Sequence, residues 1–170
     1  MSKRALLVID LQNGVGPLIG FDQLITKVNA LIAEYRQHGL PIIFIQHEEA
    51  ELEVNSEAWQ LVSALEAASN DHYVRKTHVD SFYHTELASL LDQLKVNQLE
   101  ICGAEIPYCI DATIKAAFDR GYQIFMRHGT VATERDALLA DDMMVRHYEH
   151  IWSGRFVQYL DENQRRLNPR

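Results

Sequence analysis

The chain is short of the residues that would take it outside the ordinary globular classes. Of its 170 residues, two are cysteine, four proline and eight glycine. Two thiols, Cys102 and Cys109, build neither a disulfide framework nor a four-thiolate zinc site. A reducing, cytoplasmic setting is therefore the expectation. So little proline and glycine excludes collagen-like and low-complexity structure. Positive charge is also scarce: 16 Lys and Arg stand against 24 Asp and Glu, a net charge of −8. Such a chain repels a phosphate backbone unless it hides a basic patch, and no nucleic-acid partner is expected. The longest basic cluster, Gln164-Arg165-Arg166 followed by Arg170, reads as a solvated tail. No apolar run approaches the roughly 18–20 residues that span a bilayer, so no membrane association is expected. Ala5–Ile9, behind Lys3 and Arg4, is too short for a signal-peptide core and stops at Asp10.

What remains is a hydrophobic fraction of 47% and a length suited to one core, read as a single domain over 1–170. Short apolar runs alternate with longer amphipathic ones. Strands are predicted at Ala5–Ile9, Pro41–Ile45, His72–Arg75, Gln98–Cys102 and Tyr122–Met126. Asp22 is placed to cap a helix from Gln23 to about His38, with Gly39 as its stop. Thr85 is placed to cap a helix carrying Leu87, Leu90, Leu91 and Leu94. Pro107 to Arg120 reads as a helix with proline in its first turn, and Glu134 to about His150 holds at least one more. His47–Asn55 reads as loop, and Trp59–Ala67 as a short helix or irregular chain. Alternating strand and helix predicts an α/β domain in three layers, with a mainly parallel sheet of five to six strands. Ligands of such sheets bind beyond the carboxyl ends of the strands, where Asp10, Lys76 and Gly103 fall.

Cys109 follows Glu105-Ile106-Pro107-Tyr108, near the start of a predicted helix. Free N–H groups and the helix dipole favour a thiolate there, although a small buried core residue is the commoner role for a free cysteine. Cys102, inside an apolar strand, reads as core. Asp10 is placed as a general base or as a turn cap. Lys76 is placed as a cation beside a carboxylate or as a solvated surface lysine. At the ends of strands in one parallel sheet, a nucleophile, a carboxylate and a cation can converge on one cleft.

Eight histidines are present, but no His-x-His, His-Glu-x-x-His or Asp-x-His spacing occurs. His147 and His150 share a helix face, and two ligands do not make a site. His47-Glu48-Glu49 reads as solvated loop before it reads as a cation site. Gly14-Val15-Gly16 lacks the third glycine of a dinucleotide fingerprint, no phosphate-binding loop is present, and no cofactor is expected.

Four segments together resemble a known family. Ala5–Asn13 is similar to the opening strand and catalytic aspartate of isochorismatase-like cysteine hydrolases. Lys76–Phe82, with Thr85 and Leu87, resembles their lysine segment. Cys102-Gly103 and Tyr108–Thr113 resemble the nucleophile segment, continued by Ala116-Ala117 and Gly121-Tyr122. Pro41–His47 and Trp59 resemble a subgroup of small members. The resemblance implies a hydrolase acting on a C–N bond of a small amide or carbamoyl compound. It implies catalytic roles for Cys109 as nucleophile, Asp10 as general base and acid, and Lys76 as the partner of Asp10. It also implies an oxyanion hole from the backbone N–H groups of Glu105 and Cys109, and a cis peptide at Ala104–Glu105. Gln12, Trp59, Phe82 and Ile106 are the residues placed around the substrate.

The departures are local. Ile106 and Pro107 replace the threonine and acidic residue that many relatives carry there. Gln46-His47-Glu48-Glu49 replaces the metal motif of nicotinamidases, so no metal is expected. A homo-oligomer, dimer or tetramer, is implied by the resemblance. The rival expectation is a module that keeps the fold and binds a ligand or partner without turnover. The presence of both Asp10 and Lys76 favours catalysis.

Overall fold

The structure is a computed structural model and describes residues 3–161. The basic cluster of residues 164–170 lies outside the described residues. The chain order is β1 (Arg4–Ile9), α1 (Phe21–Gln37), β2 (Ile42–His47), β3 (His72–Lys76), α2 (Leu87–Gln93) and β4 (Gln98–Ala104). A π-helical turn (Ile106–Ile110) then leads into α3 (Asp111–Asp119), β5 (Gln123–Met126), β6 (Val131–Ala132), α4 (Asp141–Trp152) and β7 (Val157–Tyr159).

Among the described residues seven strands form one sheet, in the order β3-β2-β1-β4-β5-β7, with β6 paired to the end of β4. Every pairing between these strands is parallel. The strands from β1 onward proceed first toward β3 and then, from β4, in the other direction. The order therefore reverses between β1 and β4, the place where open parallel sheets leave a crevice for a ligand.

Both sheet faces are covered, which is why the central strands read as unbroken apolar runs. Leu6 and Val8 of β1, Phe44 of β2 and Cys102 of β4 pack against Leu24, Val28, Leu31 and Ile32 of α1. Leu7, Ile9, Ile43 and Ile101 face the opposite layer, with Leu87 and Leu91 of α2, Ile114 of α3 and Trp152 of α4. Alternate residues of one strand thus belong to two cores. Each fully buried Leu or Ile contributes roughly 1.5–3 kcal/mol relative to exposure. Among the described residues no helix is long and apolar enough to cross a membrane.

Several local expectations change. Helix α1 starts at Phe21 behind Gly20, whose φ of 68° supplies the left-handed entry, and Asp22 lies inside the first turn instead of capping it. A carboxylate there still meets the positive end of the helix dipole. The N-cap of α2 is Glu86, while Thr85 Oγ1 accepts the Leu87 N–H at 3.3 Å. Trp59–Ala67 is irregular, tied to β1's exit by a bridge between Gln12 and Leu61. β6 and β7, two and three residues long, are too short to show a period. Trp152 and Val157 in the apolar C-terminal stretch are core residues.

Candidate active site

β1 ends at Asp10, whose φ of 51° turns the chain out of the sheet. The backbone is anchored there by its N–H, which donates to Ile45 O at 2.9 Å. A left-handed aspartate is uncommon and tolerated because its short side chain can bond locally. Here the carboxylate instead points to a distant partner. Asp10 Oδ2 accepts a hydrogen bond from Lys76 Nζ at 2.8 Å, with the Lys76 side chain wholly buried and that of Asp10 nearly so. Asp10 Oδ1 is buried with no partner among the described residues. A buried pair of opposite charges is held only when geometry repays desolvation, and the Asp10 carboxylate also acts directly on the Cys109 thiol.

β4 delivers the third group. Gly103 has φ 118°, and a Cβ on it would sit 2.1 Å from Ile9 O, so only glycine lets β4 lie this close to the end of β1. The Ala104–Glu105 peptide bond is cis. The chain then enters the π-helical turn, where Ile110 N–H donates to Glu105 O at 3.1 Å, and Cys109 lies within that turn. The helix expected from Pro107 is thus a π turn followed by α3. Such turns are frequent at functional sites. Lys76 Nζ approaches Cys109 Sγ at 3.2 Å.

The Cys109 thiol is pushed up to about 12. Burial is the main cause, the negative charge of Asp10 adds to it, and Lys76 works against both. The position alone suggests a helix-stabilised thiolate; burial in the structure works the other way and favours the neutral thiol. Cys102 is fully buried, and its thiol too is raised well above the ordinary value, by burial and by Glu100.

The other expected residues are placed differently. Gln12 is buried, and its amide clamps backbone: Nε2 donates to His47 O at 2.9 Å and to Trp59 O at 2.8 Å, and Oε1 accepts the His47 N–H at 2.7 Å. Phe82 and Ile106, 5% and 0% exposed, belong to the core beneath the sheet. Trp59 is half-buried, and its indole Nε1 is buried without a partner among the described residues. The Glu105 carboxyl is raised, chiefly by burial, and accepts the Glu134 N–H at 3.2 Å.

One residue in the cluster was read from the sequence as loop. His47 ends β2, and its Nδ1 lies 3.0 Å from Lys76 Nζ. Its position at a strand's carboxyl end was the available signal. Among the described residues no three His, Cys, Asp or Glu side chains converge as a metal site.

An aspartate, a lysine and a cysteine thus meet at the switch point of a parallel α/β sheet. The isochorismatase domain model matches residues 4–149, and the chain belongs to the isochorismatase family of hydrolases. A streptothricin hydrolase of Streptomyces noursei is 30% identical over 137 residues, covering 76% of this chain and 50% of that protein. A second from the same organism is 28% identical and is covered over 54% of its length. The chain thus spans about half the length of these curated relatives. The crystal structure of an isochorismatase family protein superposes with a TM-score of 0.91 at 42% identity, over 92% of this chain and 97% of that one. A cysteine hydrolase from Pseudomonas syringae shares the fold, with a TM-score of 0.85 at 17% identity over 92% of this chain and 87% of that one.

Proposed function

We propose that the chain hydrolyses a C–N bond of a small amide or carbamoyl compound through a thioester on Cys109. The observation that carries this reading is the position of Lys76 Nζ, within hydrogen-bond distance of both Asp10 Oδ2 and Cys109 Sγ. A thiol raised by burial is a poor nucleophile until it loses its proton, and the neighbouring carboxylate is the group able to take it.

In this reading Sγ attacks the carbonyl carbon as its proton passes to Asp10. The oxyanion is received by the N–H groups of Glu105 and Cys109. Asp10 returns the proton to the departing ammonia or amine, and the C–N bond breaks to leave the thioester. Water then attacks the thioester with Asp10 as base, releasing the acid and the thiol. Lys76 keeps a compensating positive charge beside whichever of Asp10 and Cys109 is ionised. Trp59, with its uncommitted indole N–H, is the pocket wall assigned to the substrate.

The test is a panel of small amides and carbamoyl compounds, streptothricin among them, with release of ammonia or amine as readout. Cys109→Ser and Asp10→Asn should each lower kcat by about 10²–10⁴-fold. An acyl adduct on Cys109 in the mass spectrum supports the thioester. Absence of both turnover and adduct across the panel would favour a binding module without turnover, with half-buried Pro107 as the changed position at its surface.

A further inference from the structure

Lys76 Nζ has three N–H groups and no lone pair. Its side chain has no exposed surface, so water does not compete for them. Three acceptors surround it: Asp10 Oδ2 at 2.8 Å, His47 Nδ1 at 3.0 Å and Cys109 Sγ at 3.2 Å. An ammonium can only donate. His47 Nδ1 must therefore offer its lone pair, which leaves the ring neutral with its proton on Nε2. Nε2 faces Glu49 Oε2 across 3.6 Å, too far for a direct hydrogen bond. The backbone that carries the imidazole is held on both sides. His47 and Lys76 are register partners at the ends of β2 and β3, and Gln12 binds both the N–H and the carbonyl of His47.

We infer that neutral His47 is a positioning residue of the active site. Its Nδ1 takes one N–H of Lys76 so that the other two are aimed at Asp10 and Cys109. This rests on the reading of Asp10, Lys76 and Cys109 as the working groups. The lysine stem is long and rotatable, and two acceptors leave the ammonium free to turn about the line between them; a third fixes it. Protonation of His47 would present an N–H and a positive charge to Lys76 and remove that third point. The charged groups around the ring are Lys76 from β3 and Glu49 from the following loop. Glu48 turns toward Arg75, 3.7 Å away, and Asp10 and Cys109 lie beyond Lys76.

The experiment compares His47→Leu, which removes the acceptor, with His47→Asn, whose amide oxygen replaces Nδ1 and does not titrate. The readout is the pH profile of Cys109 alkylation by iodoacetamide, with buried Cys102 as an internal report on unfolding and Lys76→Met as reference. Nitrogen-resolved imidazole spectra of the unsubstituted protein run beside it. His47→Leu should shift the Cys109 profile to higher pH by about one unit, a tenfold slowing on its rising limb. His47→Asn should restore the rate to within about twofold and abolish any limb due to His47. The spectra should show the Nε2–H tautomer at about pH 8. A Nδ1–H tautomer overturns the inference, and that measurement stands even if His47→Leu fails to fold. So does a His47→Leu profile matching the unsubstituted protein while Lys76→Met slows alkylation. If Lys76→Met also changes nothing, the reading of the three working groups is what has failed.

Discussion

Asp10 and Lys76 meet at 2.8 Å although their strands are not neighbours. β2 runs between β1 and β3, so the lysine has to reach across the end of β2. What it passes on the way is His47, the last residue of that strand. Three residues separated by up to 66 positions thus meet because of the strand order, and the length of a lysine suits the span.

The two charges beside Cys109 act on its thiol in opposite senses. Asp10→Asn should move the alkylation midpoint of Cys109 to lower pH while turnover is lost. Lys76→Met should move it to higher pH. Each shift should be about one unit, or tenfold in rate on the rising limb. Mass spectrometry of both cysteines across pH measures this, and shifts of the same sign in both variants would sink the assignment.

Removing one member of a buried ion pair strands the other. Lys76→Met should cost about 3–5 kcal/mol in urea unfolding, because the Asp10 carboxylate is left buried and unpaired. Combining it with Asp10→Asn removes both charges and should recover part of that loss. A double variant no more stable than Lys76→Met would show that charge desolvation is not the cause.

Gly103 and Gly121 both have positive φ, and their surroundings differ. A methyl group on Gly103 meets the Ile9 carbonyl, whereas one on Gly121 meets nothing within 4 Å. Gly121→Ala should cost about 1 kcal/mol from backbone conformation alone. Gly103→Ala should cost about 4 kcal/mol or more, or prevent folding. Similar unfolding midpoints for the two variants would contradict the close approach of β4 to β1.

Both thiols are raised in the folded chain, Cys102 by burial and Cys109 to about 12. Unfolded cysteines ionise near 8.5, so above about that pH the unfolded state releases protons that the folded state keeps. Their contribution is complete below the unfolded value and is lost as pH rises toward the folded ones. Each thiol should add about 1.4 kcal/mol per pH unit to the alkaline loss of stability. Unfolding curves between about pH 8 and pH 10 should fall less steeply for Cys102→Ala. Parallel curves would show that Cys102 ionises as easily folded as unfolded.

The central strands were legible because burial on both faces leaves β1 and β2 no polar alternation to hide them. The meeting of Asp10, Lys76 and Cys109 followed once the sheet was taken as parallel, since residues just past strand ends then share an edge. His47 was not legible. Nothing in Gln46-His47-Glu48-Glu49 separates an aimed imidazole from a solvated one, because its partner lies 29 positions away. Gln12 was misleading in the opposite sense. An amide beside Asp10 looks suited to a substrate, yet its hydrogen bonds go to the backbone of His47 and Trp59, in segments no local pattern connects. Asp22 has the residue type of a cap, but the left-handed turn at Gly20 starts the helix earlier.

Parallel pairing also gives the molecule a blank side. Arg4, Gln98 and Gln123 open β1, β4 and β5 at the rim opposite Asp10 and Lys76. Lys95 is exposed in the turn that feeds β4 at that same rim. A single tether placed at position 95 would hold the protein on a sensor chip with its reacting edge turned toward the solution.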